Sequence, residues 1–192
     1  MLWSLTLITA VAGGLLGYTY RLTKEPIAQA AKAGREKAIQ QVIPEYDNSP
    51  LDEQLTYTVH NEFGETPAII YPAKKGGTLC GAAVECSNNT GYGGEIRIIV
   101  GFEADGTIRD YQILKHQETP GLGAKMGEWF KTEKNNQSII GKSPENNNMQ
   151  VKKEGGDIDA ITAATITSRA FLGAVRTAYA AYCESLKGGS HE

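Results

Sequence analysis

The 192-residue sequence contains few of the side chains that metal sites and disulfide frameworks require. It has three cysteines and three histidines, and no histidine lies near enough to a cysteine to give the ligand spacing of a zinc site. Because the number of cysteines is odd, they cannot all pair within the chain. We interpret Cys80, Cys86 and Cys183 as small buried hydrophobic residues, and we predict no metal site.

The sequence also lacks an excess of positive charge. It has 19 Lys and Arg residues against 22 Asp and Glu residues, which gives a formal net charge of -3. The longest basic runs are the pairs at 74–75 and 152–153, so we expect no surface that neutralises the phosphates of a nucleic acid. A catalytic triad is also missing, and we predict no independent catalytic site.

A long uncharged stretch is present at the N-terminus. Residues 2–20 carry no charged side chain, and a helix of about 20 residues crosses a hydrocarbon core of about 30 Å. Trp3 at one end and Tyr18 and Tyr20 at the other suit the two membrane interfaces. We predict a transmembrane anchor over residues 1–20. A cleavable secretory signal and a buried core helix are the alternatives.

The rest of the chain divides into a connector and one domain. Residues 21–45 are predicted to be a helical connector, in which the Ala-, Lys-, Glu- and Gln-rich segment 22–44 is a Pro-started helix that Pro44 ends. A single domain is predicted over residues 46–187, because a composition of 41% hydrophobic residues supports one core. We expect residues 188–192 to be disordered.

Alternating and apolar-periodic patterns predict an α+β domain with antiparallel strands and a C-terminal helix. Asp105 and Gly106 lie between two alternating runs, which is the strongest short-range signal for a hairpin. The Asn-rich stretch at 132–148 is predicted to be a surface excursion. The predicted strands cover residues 55–60, 67–72, 78–86, the two arms of the hairpin within 95–116, and 149–154, and the predicted helices cover 124–131 and 165–186.

Two glycine-containing loops are candidates for a binding site, although each also fits an ordinary structural role. NNTGYGG, residues 88–94, fits a tight turn in which glycine supplies a positive φ. In HQETPGLGAK, residues 116–125, Thr119 must be extended because a proline follows it. Gly121 and Gly123 would let the backbone approach a flat ligand, or would only connect a strand to a helix.

The segment DAITAATITS, residues 159–168, places four hydroxyl side chains immediately before an apolar-periodic helix. A helix N-terminus has backbone N–H groups without intrahelical partners and a partial positive charge, so it stabilises phosphate. Thr and Ser are also good N-caps, worth about 1 kcal/mol each, which is an ordinary explanation for Thr165, Thr167 or Ser168. From the residues alone, both interpretations stay open.

This segment carries a resemblance to a known family. DAITAAT followed by ITS is similar to the flavinylation signature of the FMN-binding domain family, found in the G subunit of the Rnf electron-transport complex and the C subunit of the sodium-pumping NADH:quinone reductase. In that family the last threonine of the signature bears FMN through a phosphoester bond. Asp159 and Thr162 match the first two signature positions. Ala164 and Thr165 match the last two, whereas Ala163 replaces the usual glycine.

Further motifs carry the same resemblance. ETPGLG at 118–123 is similar to the family's flavin-contacting loop, and GYGG at 91–94 is similar to its second glycine-rich loop. LTKEPIA at 22–28 resembles the start of the Rnf G subunits in particular. These motifs follow the family's order and span nearly the whole chain, and the short length favours the Rnf subunit over its quinone-reductase relative.

The resemblance implies how the phosphate of FMN would be held. Thr165 would carry it as a covalent phosphoester. Backbone N–H groups of the last helix and the hydroxyls of Thr162 and Thr167 would bind the phosphate oxygens. Asp159 would serve in recognition by the flavin transferase that attaches the cofactor.

The resemblance also implies how the flavin ring would be held. The backbone of residues 121–123 would lie along the isoalloxazine, and Glu118 or Thr119 would bond its polar edge. The complete set of expected cofactor-binding residues is Tyr92, Gly93, Glu118, Thr119, Gly121, Leu122, Gly123, Thr162, Ala163, Ala164, Thr165 and Thr167.

The function that the resemblance implies is electron relay within a membrane complex. An Rnf-type complex moves electrons between ferredoxin and NAD and couples this to sodium or proton transport. We expect a single-pass protein of the inner (cytoplasmic) membrane, with its flavin domain on the periplasmic or outer face and the other Rnf subunits as partners. The alternatives are a covalent-flavin subunit of another complex, in quinone reduction or extracellular electron transfer, and a non-redox membrane-anchored scaffold.

Overall fold

The structure is a computed structural model that describes residues 2–43, 45–62 and 64–187. The chain divides into two compact units, Met1–Lys37 and Ala38–Glu192. The tail predicted at residues 188–192 and the helix stop predicted at residue 44 lie outside the described residues.

A single long helix begins the chain. Helix α1 covers Leu2–Val42 and contains Pro26, so the prediction of an anchor followed by a separate Pro-started helix is wrong in its boundary. A proline inside a helix removes one N–H donor and crowds the preceding turn. Here the surrounding Ala, Lys, Glu and Gln residues have high helix propensity, and helix α1 continues through Pro26.

The transmembrane anchor predicted for residues 1–20 is not found. Among the described helices, none combines the length and the apolar character needed to cross a membrane.

The second unit is built on one antiparallel sheet whose spatial order is the same as its sequence order, β1-β2-β3-β4-β5. Short turns are sufficient to join neighbours in such a sheet. The strands predicted within residues 55–116 are confirmed, and most are longer than expected. Their bounds are β1 Leu55–Asn61, β2 Gly64–Lys75, β3 Thr78–Gly91, β4 Gly94–Glu103 and β5 Ile108–Lys115.

Both predicted tight turns are present in the sheet. The β4–β5 hairpin turns around Asp105 and Gly106, where Gly106 has a φ of 87°. The β3–β4 hairpin pairs Gly91 with Gly94 across a two-residue tip, residues 92–93. This second tip lies beside the candidate site described below.

The C-terminal helix packs on one face of the sheet. Helix α3 covers Thr165–Lys187, in agreement with the apolar periodicity. Phe171 stacks on Phe130 with ring centroids 4.5 Å apart and meets Tyr111 edge-on at 4.9 Å. These rings lie in the main hydrophobic core, which also contains buried residues of the sheet, so the start of helix α3 is held rigidly by its packing.

The opposite face of the sheet is covered by the last residues of helix α1, which belong to the second unit. Ile39 and Val42 are buried there with Tyr71 and Ile99. Gly101 on β4 permits this packing, because a Cβ at that position would lie 2.6 Å from the carbonyl oxygen of Val42.

The segment between β5 and α3 differs in detail from the prediction. The helix expected over 124–131 is a 3-10 turn, Gly123–Lys125, followed by the short helix α2, Met126–Trp129. The strand expected over 149–154 is wrong: Lys152–Glu154 forms a 3-10 helix, and Val151 makes only an isolated bridge to Ile158. The alternation there was too short to define a strand. The predicted surface excursion also buries Ile139.

Candidate functional site

Three separate segments of the second unit meet around a cavity of about 600 Å³. They are the tip of the β3–β4 hairpin, the loop after β5 and the segment that opens helix α3. This volume lies in the usual range for ligand pockets. The lining residues are Tyr92, Glu118, Thr119, Leu122, Gly123, Ala163, Ala164, Thr165, Ile166 and Thr167.

The N-terminus of helix α3 opens into this cavity. The amide of Ser168 donates to the carbonyl oxygen of Ala164 at 3.0 Å, so the helical ladder starts there and Ala164 holds the N-cap position. The amides of residues 165–167 precede the first helical bond and have no acceptor within the helix. Such amides and the helix dipole favour an anion.

The hydroxyls of this segment have different roles, and none of them belongs to the N-cap residue. Ser168 Oγ donates to the carbonyl oxygen of Ala164 at 2.9 Å and accepts the amide of Ile161 at 2.9 Å. Thr167 Oγ1 donates to Glu118 Oε2 at 2.6 Å. The hydroxyl of Thr165 has no hydrogen-bond partner among the described residues, and its residue is half-buried on the cavity wall. Capping therefore does not account for Thr165.

Among the described residues that line the cavity, Glu118 is the one that carries a charge, and it is buried with an exposed fraction of 5%. Its Oε2 accepts the Thr167 hydroxyl, and its Oε1 accepts the amide of Gly93 at 2.9 Å. Its own backbone amide donates to Nδ1 of His116 at 3.1 Å. One carboxylate thus joins the hairpin tip, the loop after β5 and helix α3.

Glycine is required where these segments approach each other. A Cβ on Gly93 would lie 2.1 Å from the carbonyl oxygen of Gln117. A Cβ on Gly123 would lie 2.6 Å from both Glu118 Oε2 and Thr167 Oγ1. Real Cβ atoms do not show such distances, so backbone packs directly on backbone at Gly93 and on the side chains of Glu118 and Thr167 at Gly123.

Ala163 adopts a conformation that alanine rarely takes. Its φ is 62°, in the left-handed region, where Cβ crowds the following carbonyl oxygen. The usual glycine of the family signature would have no such penalty. The left-handed turn at Ala163 leads directly into the first turn of helix α3, so the backbone geometry gives a physical reason for the family's preference.

Asp159 lies outside the cavity and is already engaged within the domain. Its Oδ1 lies 3.0 Å from Nζ of Lys152, and its Oδ2 accepts the amide of Asn136 at 3.0 Å. The hydrogen bond from Lys152, and then the one from the Asn136 amide, hold the pKa of Asp159 below its ordinary value. Its backbone oxygen accepts the indole N–H of Trp129 at 2.9 Å. Asp159 thus anchors the start of the acceptor segment.

The structure brings most of the residues expected from the sequence into one place and leaves a few outside. Thr162 is exposed and lines a neighbouring cavity that also contains Lys134 and Lys152, and Thr167 is bonded to Glu118 rather than free for a phosphate. The sequence interpretation missed Ile166, an apolar residue 47% exposed on the cavity wall. Nine expected residues line the cavity, namely Tyr92, Glu118, Thr119, Leu122, Gly123, Ala163, Ala164, Thr165 and Thr167, and four do not, namely Gly93, Gly121, Asp159 and Thr162.

Comparison with known proteins agrees with this geometry. Residues 91–180 match the FMN-binding domain family, and this range contains all three segments of the cavity. The site thus lies within a region that is similar to FMN-binding domains.

Similarity over most of the chain identifies the family of the protein more closely. The chain is 37% identical to the G subunit of the ion-translocating oxidoreductase complex of Vibrio atlanticus, over 91% of this chain and 85% of the relative. It is 36% identical to the protein of the same name from Aliivibrio fischeri, with the same coverage, and 34% identical to that of Yersinia pestis, over 95% of this chain and 88% of the relative. The chain belongs to the family of G subunits of ion-translocating oxidoreductase (Rnf) complexes, as the motifs predicted.

Proposed function

We propose that this chain carries FMN as a phosphoester on Thr165 and relays electrons as the G subunit of an Rnf-type ion-translocating oxidoreductase. The observation that carries the proposal is the Thr165 hydroxyl. It lies on the wall of the cavity, in the first turn of helix α3, and it has no partner among the described residues. An acceptor hydroxyl must be accessible and unengaged, and Thr165 meets both conditions.

The residues around Thr165 fit the two chemically different parts of FMN. The unpaired amides of the first turn of helix α3 suit the phosphate. Tyr92, Leu122 and Ile166 are all partly exposed on the cavity wall, at 73%, 41% and 47%, and offer apolar surface to a flat ring. When bound, FMN supplies the redox chemistry, whereas the protein supplies position and electrostatics.

The attachment step exchanges one bond on the protein for another. A bond between Thr165 Oγ1 and the phosphorus of the flavin donor would form, the phosphorus–oxygen bond to the donor's leaving group would break, and the leaving group would take up the Thr165 proton. Asp159 and Ser168 hold the acceptor segment on either side of Thr165, so the hydroxyl is presented from a fixed backbone. Recognition of Asp159 by the flavin transferase remains a prediction.

The proposed partners are the other subunits of the complex. Ion translocation takes place across a membrane, so we propose that the chain works in a membrane-associated assembly. A location of the flavin domain on the outer face, electron transfer between ferredoxin and NAD, and coupling to sodium or protons remain predictions of the family resemblance. The alternative is a non-redox scaffold in which the hydroxyl cluster only caps helix α3, and a flavin spectrum that survives denaturation would exclude it.

The test is the intact mass of the chain produced together with a flavin transferase. The wild-type chain should gain the mass of one FMN less one water, localised by peptide mapping to the start of helix α3. Thr165→Val should remain at the unmodified mass. The matched control is Thr132→Val, which removes an exposed threonine hydroxyl outside the cavity and should keep the flavin. Flavin retained by Thr165→Val after acid precipitation would contradict the assignment.

A further inference from the structure

Glu118 is a buried carboxylate with no compensating cation. Its two known partners are the hydroxyl of Thr167 and the amide of Gly93, and neither carries a charge. Within the part of the chain that the structure describes, no lysine, arginine or histidine forms an ion pair with it. Buried charges in proteins are normally paired, so this exception requires a reason.

The geometry around Glu118 suits a charged carboxylate. The distance of 2.6 Å between Thr167 Oγ1 and Glu118 Oε2 falls in the range of a hydroxyl bonded to a charged carboxylate. The second oxygen accepts a backbone amide, and an amide is only a donor. Each oxygen therefore has a neighbour that can donate a hydrogen bond to it, which is the environment that stabilises a carboxylate.

The carboxylate is also fixed in place. Thr167, on helix α3, is 1% exposed, and Gly123 approaches so closely that a Cβ there would lie 2.6 Å from Glu118 Oε2. On the other side, a Cβ on Gly91 would lie 2.7 Å from Glu118 Oε1. The carboxylate is therefore closely packed between helix α3, Gly123 and Gly91.

We propose that Glu118 is a positioning residue whose fixed negative charge lowers the reduction potential of the flavin in this cavity. The inference rests on the proposed function, because it requires FMN to be bound. Reduction adds negative charge to a flavin, and a buried negative charge on the cavity wall opposes this addition. The field is little screened at a site of low dielectric, so the reduced form is disfavoured and the flavin becomes a stronger reductant.

The first experiment measures the midpoint potential of the flavin-loaded chain by spectroelectrochemical titration. Glu118→Gln removes the charge and keeps the shape: its amide oxygen can accept the Gly93 amide, and its NH2 group can donate to the Thr167 hydroxyl. This variant should have a higher midpoint potential than wild type. The matched control is Glu133→Gln, which removes the same charge from an exposed residue outside the cavity and should leave the potential unchanged.

A second variant separates charge from structure. Thr167→Val keeps the carboxylate but removes the hydroxyl that partly offsets its field, so the potential should fall. Opposite shifts in Glu118→Gln and Thr167→Val are not expected if both residues only hold the loops together. If Glu118→Gln does not retain flavin, the midpoint potential of Thr167→Val alone tests whether the charge of Glu118 lowers the potential.

The outcomes distinguish this inference from the proposed function. A flavin-loaded Glu118→Gln variant with the wild-type potential, or a Thr167→Val variant whose potential is unchanged or raised, would overturn the role of Glu118 and leave flavin attachment intact. A wild-type chain that acquires no flavin in the presence of a flavin transferase would instead contradict the proposed function.

Discussion

The hydroxyl of Ser168 accepts the backbone amide of Ile161 at 2.9 Å. Both residues are buried, with exposed fractions of 0% and 2%. The same hydroxyl donates to the carbonyl oxygen of Ala164. One side chain in the first turn of helix α3 therefore fixes the segment that precedes the acceptor threonine, and the presentation of Thr165 depends on a residue that never touches the cavity.

Ser168→Ala should lower the free energy of unfolding by about 1 to 3 kcal/mol, because it leaves the buried amide of Ile161 without a partner. Flavin attachment should fall as the acceptor segment loosens. Denaturant unfolding and intact mass measure the two effects. Ser185→Ala, in the last turns of the same helix, removes a hydroxyl with only a long bond of 3.4 Å and should change stability by less than about 0.5 kcal/mol. Equal effects of the two variants would contradict the role of Ser168.

Ala163→Gly should stabilise the domain. The left-handed conformation at Ala163 costs alanine about 1 to 2 kcal/mol, and glycine removes this cost. Glycine also has more freedom in the unfolded chain, which lowers the stability by about 0.4 to 1 kcal/mol. We expect a net increase of up to about 1 kcal/mol in the free energy of unfolding. The same change at Ala180, within helix α3, should cost about 1 kcal/mol. A loss of stability at both positions would show that the φ of Ala163 is not strained.

Asp159→Asn should destabilise the domain in a pH-dependent way. The pKa of Asp159 is lowered in the folded chain, mainly by its hydrogen bond with Lys152. The stabilisation is therefore complete above the unfolded pKa of about 3.9 and is lost as the pH falls through the folded pKa. The free energy of unfolding of wild type should exceed that of Asp159→Asn by about 1 kcal/mol at pH 7 and by much less at pH 3. Denaturant unfolding at the two pH values measures this difference.

Lys152→Met provides the control for this pH dependence. In that background, Asp159→Asn should have a smaller effect at neutral pH, because the charge partner is already absent. A difference between wild type and Asp159→Asn that is equally large at pH 3 and pH 7 would exclude the ion pair as its cause.

The three thiols should differ in reactivity. Burial, with a smaller effect of Glu85, raises the pKa of Cys86 to about 12, and its Sγ donates to the carbonyl oxygen of Ala174. Cys80 and Cys183 are only half-buried. A thiol-specific disulfide reagent at pH 8 should therefore modify Cys86 only after unfolding. Cys86→Ala should abolish the unfolding-dependent reaction, and rapid modification of Cys86 in the folded protein would contradict its burial.

Local patterns predicted the elements whose interactions are local. The alternation around Asp105 and Gly106 defines a hairpin because its two arms are adjacent in sequence. The spacing in helix α3 reflects one continuous buried face. The predictions at Pro26 and at residues 149–154 failed because those segments depend on residues outside them. A single proline does not show whether its neighbours keep the helix continuous. A short alternation does not show whether a partner strand is present.

The candidate site was predictable in its motifs but not in its connections. Glu118 and Thr167 are 49 residues apart in sequence, and no periodicity relates them. Ile166 was overlooked because an apolar residue in a helix is ordinarily assigned to the core, whereas here it faces the cavity. Thr162, which the signature assigns to the phosphate, lines a neighbouring cavity, and its role toward the phosphate stays a prediction.

The contact between Gly93 and the carbonyl oxygen of Gln117 leaves no space for even a methyl group. The opening of the cavity is therefore bounded on that side by two stretches of polypeptide backbone, whose separation no rotamer change can adjust. The width of the opening can therefore change only through the exposed side chains at its edge, such as those of Tyr92 and Leu122.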